Sequence, residues 1–401
     1  MDQHDQPVRE RWVADRANPI PGLDVPRAKR YSRLRLALLL SQTAASAGAM
    51  AWFALSGRSA GLRRTVEQRV PDRRLTAPAY LAAASVGAWA LRLPFDAVRD
   101  LVVERRYGLT RQTTTGWAGD QVKGLAVNLV VGLPLATTAH AVLRRRPRDW
   151  WFLLASATVP VSVVFAQLAP VVLLPIFNRF EPLRDEALEA RIRRLSERAG
   201  VPIAAVYRMD MSRQTEKPNA FFTGLGRTKR IVLADTLLDR FESDEIEGIV
   251  AHELGHQVHG DIWRFIALGS AVGYGVSYLA HHATPRLIAA SKERTRVSSP
   301  GDVASVPLIG LVLSLAGFVA APLTAAFSRA TEARTDRYAL ELTRDGDAYA
   351  RALTKLAVQS LADPDPSPPV VFFLYSHPPI GRRIADARDF LRIISDQYAN
   401  A

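Results

Sequence analysis

The chain has 401 residues, 48% of them hydrophobic, no cysteine, and a net charge of +13 from 52 basic and 39 acidic side chains. The lack of cysteine excludes disulfides and thiolate metal sites, so any metal must be held by His, Asp or Glu. The positive excess would suggest nucleic acid in a soluble protein. Here the arginines gather in short loops beside apolar segments, where anionic lipid headgroups attract them, and the reading is a bilayer and no nucleic acid.

Residues 1–35 are polar, carry Pro7, Pro19, Pro21 and Pro26, and end in the basic cluster Arg27, Lys29, Arg30, Arg33 and Arg35. This composition predicts a disordered tail with a cytoplasmic anchor. Apolar runs long enough to span a bilayer follow at Leu36–Leu55, Ala77–Phe95, Gly124–Leu143 and Trp151–Phe177, so 36–177 is predicted as four transmembrane helices. The first run comes too late, after too much charge, for a cleaved signal peptide. Pro160, Pro170 and Pro175 predict kinks in the fourth. Between the second and third runs, Glu104–Thr113 reads as a solvated loop.

From residue 178 to 260 the composition is that of a soluble domain. Asp185 can cap a helix carrying Leu188, Ile192 and Leu195 and ending near Gly200. Strands are predicted at 205–209, 220–223 and 230–233, the last two joined by a hairpin loop at 224–228. A helix capped by Ser243 follows, with Asp244, Glu245 and Glu247 complementing the positive end of its dipole. Two more apolar runs, Ile262–Ala280 and Val303–Phe327, predict a transmembrane hairpin over 261–327, and 328–401 returns to the soluble domain.

The helix after Ser243 carries His252-Glu253-Leu254-Gly255-His256. Its histidines fall at i and i+4, one turn apart on one face, so both imidazoles can reach a single tetrahedral ion. Glu253 beside them can take a proton from a metal-activated water and hand it to the leaving amine, which reads as a metallopeptidase centre. For the third ligand, His259 is about 10 Å from His252 along a straight helix, too far to share one ion. Glu332 is the better candidate, and Asp336, one turn on, can accept the free N–H of a ligating histidine. A solvated helix paired through Arg329, Glu332 and Asp336 fits the same periodicity. If the last two runs form a hairpin, residues 243–260 and 328–345 should meet.

These residues carry a resemblance. The helix motif, the run Ser328-Arg329-Ala330-Thr331-Glu332-Ala333-Arg334-Thr335-Asp336, and Tyr375-Ser376-His377-Pro378-Pro379 resemble the type I CAAX prenyl protease family of membrane zinc metalloproteases. So do Tyr107-Gly108, Gln112-Thr113, Phe177–Phe180, Asn219-Ala220-Phe221-Phe222 and Lys229–Leu238, in the same order. The resemblance implies one zinc ion per chain held by His252, His256 and Glu332, with Glu253 as general base and acid and Asp336 behind the ligands. It implies that Asn219, Ala220, Phe221 and Phe222 pair with extended substrate as an edge strand. It also implies that His377 and Arg383 hold the scissile carbonyl and its developing oxyanion. Two departures stand out: the family usually has seven spans where six are read here, and Thr335 replaces the usual alanine before the aspartate.

The fold read from the sequence is a mainly α-helical integral membrane protein, a multi-span bundle with a zincin-like α+β catalytic domain carrying a small sheet. The function is a zinc metalloendopeptidase acting on a peptide or protein, lipidated or membrane-associated, near the bilayer. The alternatives are a broad quality-control protease and a non-catalytic zinc-containing membrane scaffold. Six spans with the basic N-terminus inside put the catalytic region on the cytoplasmic side of a bacterial cytoplasmic membrane. Arg58, Arg63, Arg64, Arg69, Arg73 and Arg74, and Arg144, Arg145, Arg146 and Arg148, would then face outward, against the charge rule.

Overall fold

A computed structural model of the chain describes residues 20–224 and 229–399. Residues 225–228 of the loop expected at 224–228, and the start of the tail, with Pro7 and Pro19, lie outside these residues. The chain divides into two compact units, one of residues 36–179 and 260–324, the other of residues 1–35, 180–259 and 325–401.

In chain order the first helices are α1 (Val25–Leu55), α2 (Arg58–Arg69), α3 (Thr76–Arg106), α4 (Thr114–Arg145) and α5 (Trp150–Phe177). Later come α8 (Asp261–Thr295) and α9 (Val303–Thr343). Among the described residues, α1, α3, α4, α5 and α9 are long and apolar enough to cross a membrane. The run Ile262–Ala280 does not join them. It lies in the 35-residue α8, whose apolar character is diluted by Arg264, Ser270, Tyr274, Ser277 and Tyr278. Several of these polar groups have partners within their own unit: the Tyr274 and Ser156 hydroxyls are 2.8 Å apart, and Tyr278 stacks edge-on against Trp151.

The first unit packs buried apolar clusters such as Val66, Tyr80, Leu81 and Val303, pairs several polar side chains within it, and leaves other apolar side chains exposed, as a lipid-facing bundle does. Gln42 donates to Asp96 at 3.0 Å, and the Ser59 hydroxyl donates to the Ala304 carbonyl at 2.7 Å. Val130 and Val319 are 73% and 78% exposed. Helix α5 does not break at Pro170; it continues through a π-helical segment, Ala169–Leu173, which absorbs the lost hydrogen bond. Glu104, expected in a solvated loop, is buried at the end of α3.

The second unit holds the sheet. Its strands are β1 (Phe180–Pro182), β2 (Ala205–Met209), β3 (Ala220–Thr223) and β4 (Arg230–Ala234), in the order β1-β2-β4-β3. β2 and β4 run parallel; the outer pairs are antiparallel. The central β4 reads Ile231-Val232-Leu233-Ala234, all buried, because both its edges are paired. β3 lies at the edge.

Helix α6 (Glu186–Arg198) is capped by Asp185, which accepts from the Leu188 N–H at 2.9 Å, and buries Leu188, Ile192 and Leu195. Helix α7 (Ser243–Val258) packs against α6 and β3, and α10 (Gly346–Ser360) packs against α7 and α12 (Ile380–Ala399); α11 (Pro368–Leu374) precedes α12.

Two expectations change here. Residues 25–35 are not tail but the first turns of α1, and Ile20, Leu23, Ala28 and Tyr31 are buried. Their apolar side chains recur at helical spacing among the charges, a pattern the net polarity of the segment conceals. The cap of α7 is Glu242, not Ser243. Glu242 and Glu245 form a reciprocal capping box, in which the Glu242 N–H donates to Glu245 Oε2 at 2.8 Å.

The same Glu245 oxygen accepts from Lys355 Nζ at 2.6 Å, and the residue is only 1% exposed. Replacing it leaves the half-exposed Lys355 ammonium without this anion and a helix end without its capping partner. Glu245→Ala should therefore destabilise the unit by about 1–2 kcal/mol, seen as a lowered thermal midpoint of the detergent-solubilised protein.

Candidate metal centre

Helix α7 presents His252 and His256 on one face, their rings 4.9 Å apart. Helix α9 supplies Glu332, and ligand atoms from these three residues all lie within 4.8 Å of one another. Glu332 Oε2 is 3.2 Å from His252 Nε2, and Oε1 is 3.6 Å from His256 Nε2. Ligands about 2 Å from a tetrahedral ion are separated by about 3.3 Å, so these spacings fit a metal of zinc-like geometry. Among the described residues no donor meets the buried Glu332 Oε2 in good hydrogen-bond geometry, and its near neighbours are the ring nitrogens of His252 and His377, an arrangement open to a cation.

The two helices meet at Gly255. A Cβ there would come 2.9 Å from Thr335 Cγ2 and 3.0 Å from Tyr338. Only a residue without a side chain lets α9 approach closely enough for Glu332 to reach the histidines.

Behind the ligands, Asp336 Oδ1 lies 2.9 Å from His252 Nδ1. The buried Tyr349 of α10 donates its hydroxyl proton to the same oxygen at 2.6 Å and sits 3.2 Å from His252 Nδ1. Burial pushes the Tyr349 phenol well above its ordinary value, so it keeps that proton at any physiological pH. Arg383 of α12 grips Asp336 with two bonds, Nε to Oδ2 at 2.7 Å and a terminal nitrogen to Oδ1 at 2.6 Å. Thr335 Oγ1 lies 3.5 Å from His256 Nδ1 and donates to the Thr331 carbonyl.

Glu253, next to His252 on α7, and His377 line a cavity together with His252. Burial raises the Glu253 carboxyl above its usual range, which suits a group that must both take up and release a proton. His377 Nε2 is 3.3 Å from Glu332 Oε2, and its other ring nitrogen is 2.8 Å from the Ser376 hydroxyl. His259, at the end of α7, stacks edge-on against Tyr338 and stands outside the His252, His256 and Glu332 group.

A cavity of about 130 Å³ is lined by Asn219, Ala220, His252, Glu253, Tyr349, His377 and Arg383. Asn219 O accepts from the Ala234 N–H at 2.9 Å, and the ladder alternates from there. The backbone groups of Ala220 and Phe222 therefore point away from β4, toward the open edge.

Family models match the chain in two parts: "Peptidase family M48" over residues 182–391, and "CAAX prenyl protease N-terminal, five membrane helices" over residues 16–179. The chain belongs to peptidase family M48. An uncharacterized metalloprotease of Bacillus subtilis, YhfN, is 32% identical to this M48 chain, over 83% of it and 78% of the relative. CAAX prenyl protease 1 of Saccharomyces cerevisiae is 28% identical over 76% and 70%. The crystal structure of S. mikatae Ste24p has the same fold, with a TM-score of 0.80 over 90% of this chain and 88% of that one, at 23% identity. The protein is thus an integral-membrane M48 metalloendopeptidase with a metal cofactor, and the scaffold reading gains no support.

The structure brings together His252, Glu253, His256, Glu332, Asp336, His377 and Arg383, with Asn219 and Ala220 on the same cavity. It also adds Tyr349, which sequence reasoning passed over. An isolated tyrosine in an amphipathic helix carries no local signal; only the buried position opposite Gly248, where a Cβ would meet its ring at 3.0 Å, marks it. Tyr349→Phe should weaken metal affinity about tenfold, measured by chelator competition with zinc. Gly255→Val should cost more, because it moves a ligand helix.

Proposed function

We propose that the protein is a zinc endopeptidase in which His252, His256 and Glu332 hold one zinc ion per chain, and that it cuts an extended peptide laid along the open edge of β3. One observation carries this reading: His252, which belongs to the three-residue ligand group, lines one cavity together with Glu253 and with Ala220 of the edge strand β3. Backbone pairing to Asn219, Ala220, Phe221 and Phe222 would hold any sequence in extended form, with side-chain pockets setting preference.

The chemistry zinc supplies when bound is that of a Lewis acid, which polarises the scissile carbonyl and acidifies a water. Glu253 takes the proton from the attacking water oxygen and returns it to the amine nitrogen as the C–N bond breaks. His377, beside the ligands, donates to the oxygen on which negative charge develops. Asp336 fixes the ring of His252 through Nδ1. Arg383 is a positioning residue in this scheme: its bidentate bond to Asp336 supports the ligand set.

The same reading puts the catalytic unit on the cytoplasmic side of a bacterial cytoplasmic membrane. Its support is that Arg27, Lys29, Arg30 and Arg33 belong to the same compact unit as the ligands, and positive residues beside a span favour the inside. A Bacillus relative of similar length agrees with a bacterial setting.

Glu253→Gln should reduce kcat on a peptide substrate by about 10²–10⁴-fold while the purified protein keeps one zinc per chain. Undiminished cleavage, or a protein without stoichiometric zinc, would overturn the reading. His377→Ala should lower kcat by roughly 10²-fold with KM little changed, which a steady-state comparison reads directly.

A further inference from the structure

The unit that holds the metal ligands buries most of its large apolar side chains, among them Ile192, Leu233, Ile246 and Leu353. Among its described residues the strongly exposed ones are Val258 and three in a row on α11, Phe372, Phe373 and Leu374. Phe372 is 51% exposed and Leu374 42%. The whole helix reads Pro368-Pro369-Val370-Val371-Phe372-Phe373-Leu374, an apolar run without a charge. Scattered apolar side chains on a surface need no explanation, but a contiguous run marks a contact with something apolar.

The backbone ends of α11 suit a dry setting, where unpaired polar groups are costly. A helix start leaves N–H groups without partners, and here the first two positions are prolines, which carry none. At the other end Arg329 donates to the carbonyls of Val371 and Tyr375, both at 2.8 Å. Arg329 also gives α11 a depth. It is the first charged residue after the apolar run of α9, which ends at Phe327, so it stands where that spanning helix reaches the headgroups. Helix α11 is tied to this level. The apolar phase within reach there is the bilayer that the protein already spans.

We propose that α11 is an interfacial helix, with Phe372 and Leu374 inserted among lipid acyl chains about 5–10 Å below the polar surface. The insertion bears on the metal centre. His377, whose Nε2 is 3.3 Å from Glu332, follows Leu374 by three residues, and Arg329 holds the Tyr375 carbonyl between them. Lipid contact at α11 therefore holds His377 beside the bilayer surface.

The chain has no cysteine, so Phe372→Cys and Leu374→Cys each give the full-length protein a single thiol for an environment-sensitive fluorophore. Asp365→Cys, at an exposed polar position before α11, is the comparison. Each labelled protein is reconstituted into vesicles of phosphatidylcholine and phosphatidylglycerol, with and without lipid carrying a nitroxide on its acyl chains. Iodide on both sides of the membrane is the aqueous quencher, and circular dichroism shows that each variant keeps its helices. Nitroxide lipid should lower emission at the Phe372 and Leu374 positions about twofold and leave the Asp365 position nearly unchanged, with iodide giving the reverse order. Two labelled positions keep the test decisive if one variant fails to fold. Iodide quenching at Phe372 and Leu374 without nitroxide quenching overturns the proposal, because the run then faces water. Protection from both quenchers overturns it too, since protein then covers the run. So does equal nitroxide quenching at Asp365, which would make lipid contact indifferent to the apolar residues.

Discussion

A metal held by two histidines on one helix and a carboxylate on another is placed only as well as those helices are packed. In this protein the contact is the absence of a side chain at Gly255, which lets Thr335 and Tyr338 of α9 lie directly on α7. Everything else in the centre depends on that approach. It sets the distances from Glu332 to both histidines, and it carries Asp336 to the far side of His252. A single methyl group would have to push α9 away by several tenths of an ångström, enough to spoil a tetrahedral site whose ligand distances tolerate little.

Around this contact the electrostatics are layered. His252 faces Glu332 with one ring nitrogen and Asp336 with the other, so its orientation is fixed by two carboxylates. A buried carboxylate such as Asp336 is costly unless its lone pairs are filled, and here a guanidinium and a phenol fill them. Tyr349 and Arg383 therefore hold the ligand set through Asp336, and they come from helices α10 and α12 that follow the ligand helix in the chain. The C-terminal segment is part of the centre for this reason, and two of its side chains also meet ligands directly, Tyr349 at His252 and His377 at Glu332.

The sheet plays a different part. Its central strands are apolar and closed, while β3 leaves one edge open beside Glu253 and His377. An unpaired edge is normally a hazard that proteins cover. Here that edge stands on the cavity that His252, Glu253 and His377 also line.

Much of this was legible in the sequence, because short-range rules fix it. The i, i+4 spacing of His252 and His256, the Asp185 cap, and β2, β3 and β4 follow from local periodicity and capping chemistry. Local rules failed where a long-range partner decides the outcome. Ser243 looks like a cap, but Glu242 takes that role because Glu245 answers it and Lys355 neutralises the pair. Residues 25–35 look like a charged tail, yet they form the first turns of α1 with Ala28 and Tyr31 buried. The sequence by itself determined the donor types, the helix that carries two of them and the membrane-spanning character of the chain. Only the tertiary structure decided that Glu332 completes the group and that Tyr349 and Arg383 serve Asp336. Those relations link residues far apart in the chain, and no spacing rule reaches across such distances.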